Sequence, residues 1–333
     1  MHWVLVRTVA GLEGLAAEEV VAAGHRVVEV SKRQLVVEGA SVLCGPPRLA
    51  DDLFVVQAAV TDPGRTKDGL AAAVRSLELP SGRGAFAVTA SFVGARNFNR
   101  FDIEDLVGAR LGGRYYSRRD GGVPPAERSE WRVVLDGKTL WVGMRPYAVP
   151  LHRRAWRERT VRGSLHPPVA AAMARLAGIA PGHRVLDPFC GAGTLLLEAR
   201  AIEPRATYVG CDRDPGAIAA AKANAAKANA AKANVGEAGI GAGAVLWRRR
   251  DAGRLDVTAD RIITNPPWDH RLPIGDLTPY IRQWREALDG VLVAILGPQQ
   301  VAQLGRGWRV HAVYELAVAG QHPRIVVAEP SRS

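Results

Sequence analysis

Residues 185–194 read Val185-Leu186-Asp187-Pro188-Phe189-Cys190-Gly191-Ala192-Gly193-Thr194. A short apolar run from Arg184 to Leu186 ends in an acid, and a Gly-X-Gly turn follows. From about Leu195 to Ala201 the apolar residues have helical spacing. Strand, glycine loop and helix form the opening of a doubly wound α/β domain, where ligands sit at the carboxyl ends of the strands. Glycine lets backbone approach a ligand with no Cβ in the way. Taken alone, the ten residues support two readings equally: a ligand loop, or a strand-to-helix turn that uses glycine for packing.

Further strands follow. Thr207–Asp212 is a second strand that also ends in an acid. Asp212 lies about twenty residues past the glycine loop, where a carboxylate can accept both ribose hydroxyls of an adenosine ligand. Val245-Leu246-Trp247 is a third strand, ahead of Arg248-Arg249-Arg250-Asp251. Arg261–Thr264 is a fourth, and it runs into Asn265-Pro266-Pro267-Trp268. A helix over 281–288, a fifth strand over 291–296 and an antiparallel pair, 308–318 with 324–328, complete seven strands. A helix over 168–176 precedes the first strand.

Composition bounds the partners. The 333 residues suffice for two or three domains, and 47% hydrophobic content is ordinary for a chain with a packed core. No run of about 18 apolar residues suggests a membrane span. The start, Met1-His2-Trp3-Val4-Leu5-Val6, lacks a basic leader and enters a strand pattern, so no signal peptide is expected. Cys44, Cys190 and Cys211 are scattered without a C-X-X-C, which points to a reducing cytoplasm and to no metal site. Forty-four Lys+Arg against 33 Asp+Glu give a net charge of +11, which favours a polyanionic partner, most simply nucleic acid. Nothing in the sequence addresses the oligomeric state.

The first half reads as small α+β modules. Val4–Thr8 is a strand, Leu15–Ala23 a helix stopped by Gly24, and 25–30 and 33–37 are two further strands. Asp51–Val60 reads as a second short helix, giving a βαββα order over 1–60. Thr61-Asp62-Pro63-Gly64 is a turn-rich boundary. A helix over 70–77, a strand over 85–92, a helix over 103–111 and strands 131–135 and 139–144 around the hairpin signal Asp136-Gly137 follow. Between them Arg96-Asn97-Phe98-Asn99-Arg100-Phe101 interleaves cations with aromatics. Such a run either grips phosphates and stacks on bases, through Arg96 and Arg100, or is a loop anchored to the core by its two Phe. Arg153, Arg154, Arg157, Arg159 and Arg162 form the densest basic run, and each guanidinium can take a phosphate in a fork. Residues 221–234 repeat Ala-Lys-Ala-Asn-Ala with a five-residue period. On a helix of roughly 100° per residue each Lys sits about 140° round from the last, so the lysines make no single stripe. The repeat reads as helical, exposed and neutral in function.

The glycine loop and Asn-Pro-Pro-Trp together resemble S-adenosylmethionine (SAM) methyltransferases that act on an exocyclic or amide nitrogen. The spelling Asp-Pro-Phe-Cys-Gly-Ala-Gly-Thr is similar to that of RNA guanine-N2 methyltransferases carrying a THUMP domain, and Gly11-Leu12-Glu13 before a helix resembles their start. Val149-Pro150-Leu151-His152-Arg153-Arg154-Ala155-Trp156-Arg157 resembles the stretch that joins THUMP and methyltransferase domains, with Ala155 and Trp156 replacing Gly and Tyr. The resemblance implies a ferredoxin-like module over 1–60, a THUMP RNA-binding domain over 61–150 and a Rossmann-like seven-stranded methyltransferase domain over 151–333. It implies SAM as cofactor, held by Asp187, Gly191, Gly193, Thr194, Asp212, Asp251 and Asn265. Asp251 stands at the family's adenine-binding position, though a loop acid neutralised by three arginines fits the sequence as well. Arg96, Arg100, Arg153, Arg154 and Arg157 are the RNA-binding candidates.

Methyl transfer from a sulfonium needs no metal and is mainly a positioning problem. A guanine N2 amine is a poor nucleophile because its lone pair is delocalised into the ring. The Asn265 side-chain oxygen and the Pro266 carbonyl can accept from its two N–H bonds. Pro266 brings no competing N–H, Pro267 stiffens the turn, and Trp268 offers a stacking face worth about 1–3 kcal/mol. The resemblance is strongest to enzymes that modify guanosine 6 of tRNA; the alternatives are tRNA position 10, 23S rRNA and a non-catalytic RNA-binding module. A cysteine nucleophile is disfavoured, since Cys190 and Cys211 fall in the glycine loop and on a core strand.

Overall fold

The computed structural model describes residues 3–39, 45–81, 83–233, 245–267, 276–318 and 320–331, with side chains as far as 230 in the helix that ends at 233. Cys44, Trp268 and the end of the Ala-Lys repeat, Lys232 and Asn234 included, lie outside the residues so described. The chain forms two compact units. The first holds the chain up to Arg7, Ala17–Pro47 and Asp51–Leu151; the second holds Thr8–Ala16, Arg48–Ala50 and the chain from His152.

The first unit is built on one eight-stranded sheet. Its elements are β1 (Trp3–Thr8), α1 (Glu13–Ala22), β2 (Arg26–Ser31), β3 (Gln34–Glu38), β4 (Ala50–Thr61), α2 (Lys67–Ser76), β5 (Ala85–Phe92), α3 (Arg100–Gly108), β6 (Arg114–Tyr115), β7 (Ser129–Leu135) and β8 (Thr139–Met144). The strand order is β2-β3-β1-β4-β8-β7-β5-β6. Alternation along β5, β7 and β8 buries Val88, Trp131, Val133, Leu140 and Val142 in a core shared with Leu70, Val74, Ile103 and Val107 of α2 and α3. The other face gathers Leu5, Val36, Phe54, Val134 and Trp141.

The helix expected over Asp51–Val60 is instead the twelve-residue strand β4. Ala58 and Ala59 favour helix locally, but Val55 to Thr61 pairs antiparallel with Met144 to Thr139, and that ladder outweighs propensity. The first sixty residues are therefore βαβββ, and β4 continues into the ladder with β8. The β7–β8 hairpin turns on Gly137-Lys138, one residue later than the Asp136-Gly137 signal: Asp136 N–H donates to the Thr139 carbonyl, and Gly137 has φ +96°.

The second unit is a seven-stranded doubly wound sheet, in the order β11-β10-β9-β12-β13-β15-β14. Its elements are α4 (Pro167–Leu176), β9 (Arg184–Asp187), α5 (Thr194–Ile202), β10 (Thr207–Asp212), α6 (Pro215–Ala233), β11 (Val245–Arg249), β12 (Ala259–Thr264), α7 (Thr278–Ala287), β13 (Leu288–Leu296), β14 (Trp308–Glu315) and β15 (Arg324–Pro330). The parallel strands pair β11 with β10, β10 with β9, β9 with β12 and β12 with β13; β15 runs antiparallel between β13 and β14. The order reverses at β9, so a crevice opens at its carboxyl end, between the loops after β9, β10 and β12. Trp284 of α7 is fully buried with Leu186, Ile262, Leu292 and Val326 around it. Among the described residues no helix is long and apolar enough to cross a membrane.

Candidate active site

At that crevice lies a cleft of about 470 Å³ lined by residues 161–165, the glycine loop, Asp212–Asp214, Asp251, Asn265–Pro267 and Tyr280. The volume falls within the roughly 300–1,000 Å³ typical of small-molecule sites. Each strand of the crevice ends in a polar residue, so the sheet delivers the site's chemistry to one rim.

Asp187 ends β9 and is buried, at 1% exposure. Its Oδ1 accepts from Phe189 N–H at 3.1 Å and from Thr264 Oγ1 at 3.0 Å. Burial pushes its carboxyl up to about 7; the two donors only partly oppose this, and neighbouring Asp212 adds to it. The Thr264 bond ties the strand bearing Asn265 to the strand bearing the glycine loop. Asp212 accepts from Gly191 N–H at 3.0 Å through Oδ2 and from Asp214 N–H at 2.9 Å through Oδ1. Asp251 is exposed at the rim and accepts from Gly253 N–H at 2.8 Å. Arg248 and Arg250 pair with Asp256 instead, so they leave Asp251 un-neutralised by ion pairs of theirs.

The two glycines of the loop divide the two readings between them. Gly191 lines the cleft. Gly193 is the left-handed N-cap of α5 (φ +80°), and a Cβ there would lie 2.6 Å from the Trp247 ring. Gly210 on β10 is equally close, at 2.5 Å. Gly193 is therefore a packing glycine that makes a slot for Trp247, and it is not among the cleft-lining residues. Thr194, next in the chain, does line the cleft; its Oγ1 is buried and has no hydrogen-bond partner among the described residues.

Asn265 Nδ2 donates to the Gly163 carbonyl at 3.1 Å. A carbonyl can only accept, so this bond fixes which way the amide faces and leaves Oδ1 as its acceptor end. Pro266 and Pro267 line the cleft beside it, and the Pro267 carbonyl accepts from Gln300 Nε2 at 3.0 Å. Phe189 packs edge-on against Tyr280 with centroids 5.2 Å apart. Cys190 and Cys211 are buried. Burial, then Asp187, Asp212 and Cys211, holds the Cys190 thiol well above its ordinary value, and burial raises Cys211 to about 11. Both are thiols that pack, as the sequence suggested, and not thiolates.

The basic candidates divide by burial. In the first unit, Arg96 binds Asp62 in a fork, at 2.6 and 2.8 Å, with both side chains 6% exposed. Burial alone would raise Asp62; the Arg96 bonds and the Gly64 and Gly137 N–H groups outweigh it and lower it. Phe98 is core, as the anchored-loop reading expected, whereas Arg100 is exposed and stacks 4.6 Å over the Phe101 ring. In the second unit, Arg154 and Arg48 both bind the fully buried Glu198, at 2.7 and 2.6 Å. Arg157 is half-buried, its Nε has no hydrogen-bond partner among the described residues, and burial lowers its pKa. Arg153 is exposed.

Sequence reasoning missed Thr264, Gln300, Gly163 and Asn224. Thr264 was legible as a polar strand end before Asn-Pro-Pro; Gln300 and Gly163 carried no signal. Asn224 belongs to the Ala-Lys repeat read as exposed and neutral, and there the structure corrects the reading. Ala221, Asn224 and Ala225 are buried, because α6 lays one face on the sheet whatever the repeat's period. The cleft suits a cationic nucleoside ligand: carboxylates at the ends of β9 and β10 and just beyond β11, and open backbone at Gly191, fit SAM.

Residues 154–276 match the family model described as RMKL-like, methyltransferase domain. The chain is 30% identical to the tRNA (guanine(6)-N2)-methyltransferase of Thermus thermophilus, over 98% of this chain and 99% of that protein. It is 36% identical to the tRNA (guanine(10)-N2)-dimethyltransferase of Methanothermobacter thermautotrophicus, over 32% of this chain and 28% of that one. Among solved structures, TrmN from Thermus thermophilus is similar over 99% of this chain and all of that one, with a TM-score of 0.74 and 27% identity. A possible methylase from Clostridium difficile shares the fold, with a TM-score of 0.78 at 16% identity.

Proposed function

The chain belongs to the family of THUMP-type SAM-dependent guanine-N2 RNA methyltransferases, and from that membership we propose that it methylates N2 of guanosine 6 in the acceptor stem of tRNA. The observation that carries the proposal is Asn265 at the cleft rim with its amide oriented by Gly163, beside a strand-end carboxylate set suited to a cationic nucleoside. The position in tRNA rests on the near-complete overlap with the Thermus relative that modifies guanosine 6.

In this reading Asp212 takes the ribose hydroxyls and Asp251 the adenine amine. Gly191 gives the cofactor backbone room, and Thr194 lines the cleft beside it. Bound SAM supplies an electrophilic methyl group. Asn265 Oδ1 and the Pro266 carbonyl accept from the guanine amine and draw its lone pair out of conjugation, so their work is orientation rather than proton removal. The product loses its proton readily, and no strong base is required. We take residues 1–60 as the ferredoxin-like module, 61–150 as the THUMP domain and 151–333 as the catalytic domain, with Arg100 and Arg153 as exposed RNA contacts.

The test is nucleoside analysis of unmodified tRNA after incubation with the protein and labelled SAM. N2-methylguanosine mapped to position 6 is the expected result. Label at position 10, or in rRNA and not tRNA, would overturn the substrate assignment.

A further inference from the structure

Residues 158–165 cross the glycine loop without regular secondary structure, and both ends of the crossing are fixed. At one end Asn224 of α6, 0% exposed, uses its whole amide. Its Oδ1 accepts from Glu158 N–H at 3.0 Å and from Arg159 N–H at 2.9 Å. Its Nδ2 donates to the Arg159 carbonyl at 2.8 Å and to the Ala192 carbonyl, in the glycine loop, at 3.0 Å. Four bonds saturate a primary amide, and they join three segments at one buried point. In the middle, Val161 packs on the loop, its Cγ2 3.4 Å from where a Gly191 Cβ would be. At the other end a tight turn pairs Val161 N–H with Ser164 Oγ at 2.9 Å and Ser164 N–H with the Val161 carbonyl at 3.0 Å. That turn presents the Gly163 carbonyl to Asn265.

We propose that 158–165 is a strap that sets the Asn265 amide against the cofactor loop, and that Asn224 is the positioning residue that registers it. Residues 161–165 and Ala192 all line the cleft, so the strap is one of its walls. Moving the Asn224 end displaces the wall and, through Gly163, rotates the acceptor that meets the guanine amine. A displacement of about 1 Å at such a group can cost on the order of 10²-fold in rate. Asn224→Asp keeps both acceptor bonds but sets a carboxylate against the Arg159 and Ala192 carbonyls, so it loosens the loop side of the pin. The proposal rests on the methyltransferase reading, and binding of S-adenosylhomocysteine separates the two, since it needs no RNA.

The experiment compares wild type with Asn224→Ala, Asn224→Asp and Ser164→Ala, using as control Asn229→Ala on the same helix, whose amide accepts from Arg200 and lies outside the cleft lining. Calorimetric affinity for S-adenosylhomocysteine, kcat and KM on tRNA, and thermal midpoint are read for each, well below the melting temperature. The expected result is about tenfold weaker S-adenosylhomocysteine binding by Asn224→Ala and a kcat lower by on the order of 10²-fold. KM for tRNA stays within about threefold, Ser164→Ala gives the same pattern more weakly, and Asn229→Ala keeps wild-type affinity and kcat even where the lost Arg200 bond lowers its midpoint. Should Asn224→Ala not fold, Asn224→Asp and Ser164→Ala carry the comparison. A lowered thermal midpoint with unchanged affinity and kcat in the folded variants would make Asn224 a structural residue only and overturn the proposal. If wild type bound S-adenosylhomocysteine but methylated no RNA, the functional reading would fall, and the strap would be judged on affinity alone.

Discussion

Asp187 stores free energy that its surroundings hold against it. Its carboxyl titrates near 7 in the fold, against an ordinary value of 3.8. Between those values the folded state binds more protons than the unfolded one, so stability falls as pH rises from about 4 to 7 and is level above. Asp187→Asn does not titrate, and its Oδ1 can still accept from Phe189 and Thr264. Urea unfolding across pH should therefore show the variant gaining on wild type through that window, to on the order of 4 kcal/mol. A pH-independent difference would show that burial does not raise this carboxyl. Asp212 and Asn265 divide differently. Asp212→Ala frees Gly191 N–H and removes the ribose acceptor, so SAM binding should weaken by at least about tenfold. Asn265→Ala should bind SAM within a few-fold of wild type and lose turnover by on the order of 10²-fold or more. Calorimetry and single-turnover kinetics read the two effects separately. Both acids and Asn265 were legible because each ends a strand in a recognisable spelling. Thr264 and Gln300 were not, since a hydrogen bond across 77 or 33 residues leaves no local pattern.

At the scale of elements, the slot around Trp247 explains why the β9–α5 turn and the middle of β10 both need glycine. Gly210→Ala puts a methyl group 2.5 Å from the Trp247 ring with the backbone otherwise unstrained. Gly193→Ala adds a left-handed φ of +80° to a similar clash. Each should cost about 1–3 kcal/mol as overpacking. Adding Trp247→Leu should recover more of the loss at Gly210 than at Gly193, because only Gly193 retains backbone strain. Equal recovery in chemical denaturation would sink that distinction. The Arg48–Glu198–Arg154 cluster makes a second case. Arg154→Ala leaves the buried Glu198 with Arg48 as its remaining cation, so it should destabilise, but by less than the roughly 3–5 kcal/mol of a buried charge left wholly unpaired. The β4 segment shows the limit of local reading: the alanines at 58 and 59 speak for helix, and only the β8 partner, some eighty residues on, makes the segment a strand.

For the whole molecule, a net charge of +11 favours a polyanionic partner but does not say which side chains meet it. The candidates Arg96 and Arg154 neutralise buried carboxylates, whereas Arg100 and Arg153 face solvent. In tRNA binding measured against salt, Arg100→Ala and Arg153→Ala should each lower the slope of log K on log salt by about 0.7–0.9, with thermal midpoints unchanged. Arg96→Ala and Arg154→Ala should instead lower the midpoint. An unchanged slope for Arg100→Ala or Arg153→Ala would remove that residue from the interface. The sequence by itself determined the doubly wound catalytic fold, its cofactor class and the residues at the strand ends, because strand period, glycine turns and Asn-Pro-Pro are written within a few consecutive residues. Only the tertiary structure decided which arginines are free for solvent, which glycine serves packing, that 50–61 is a strand and that Asn224 joins three segments. Those properties belong to partners brought together from distant parts of the chain, and burial and pairing are defined only once the partners meet.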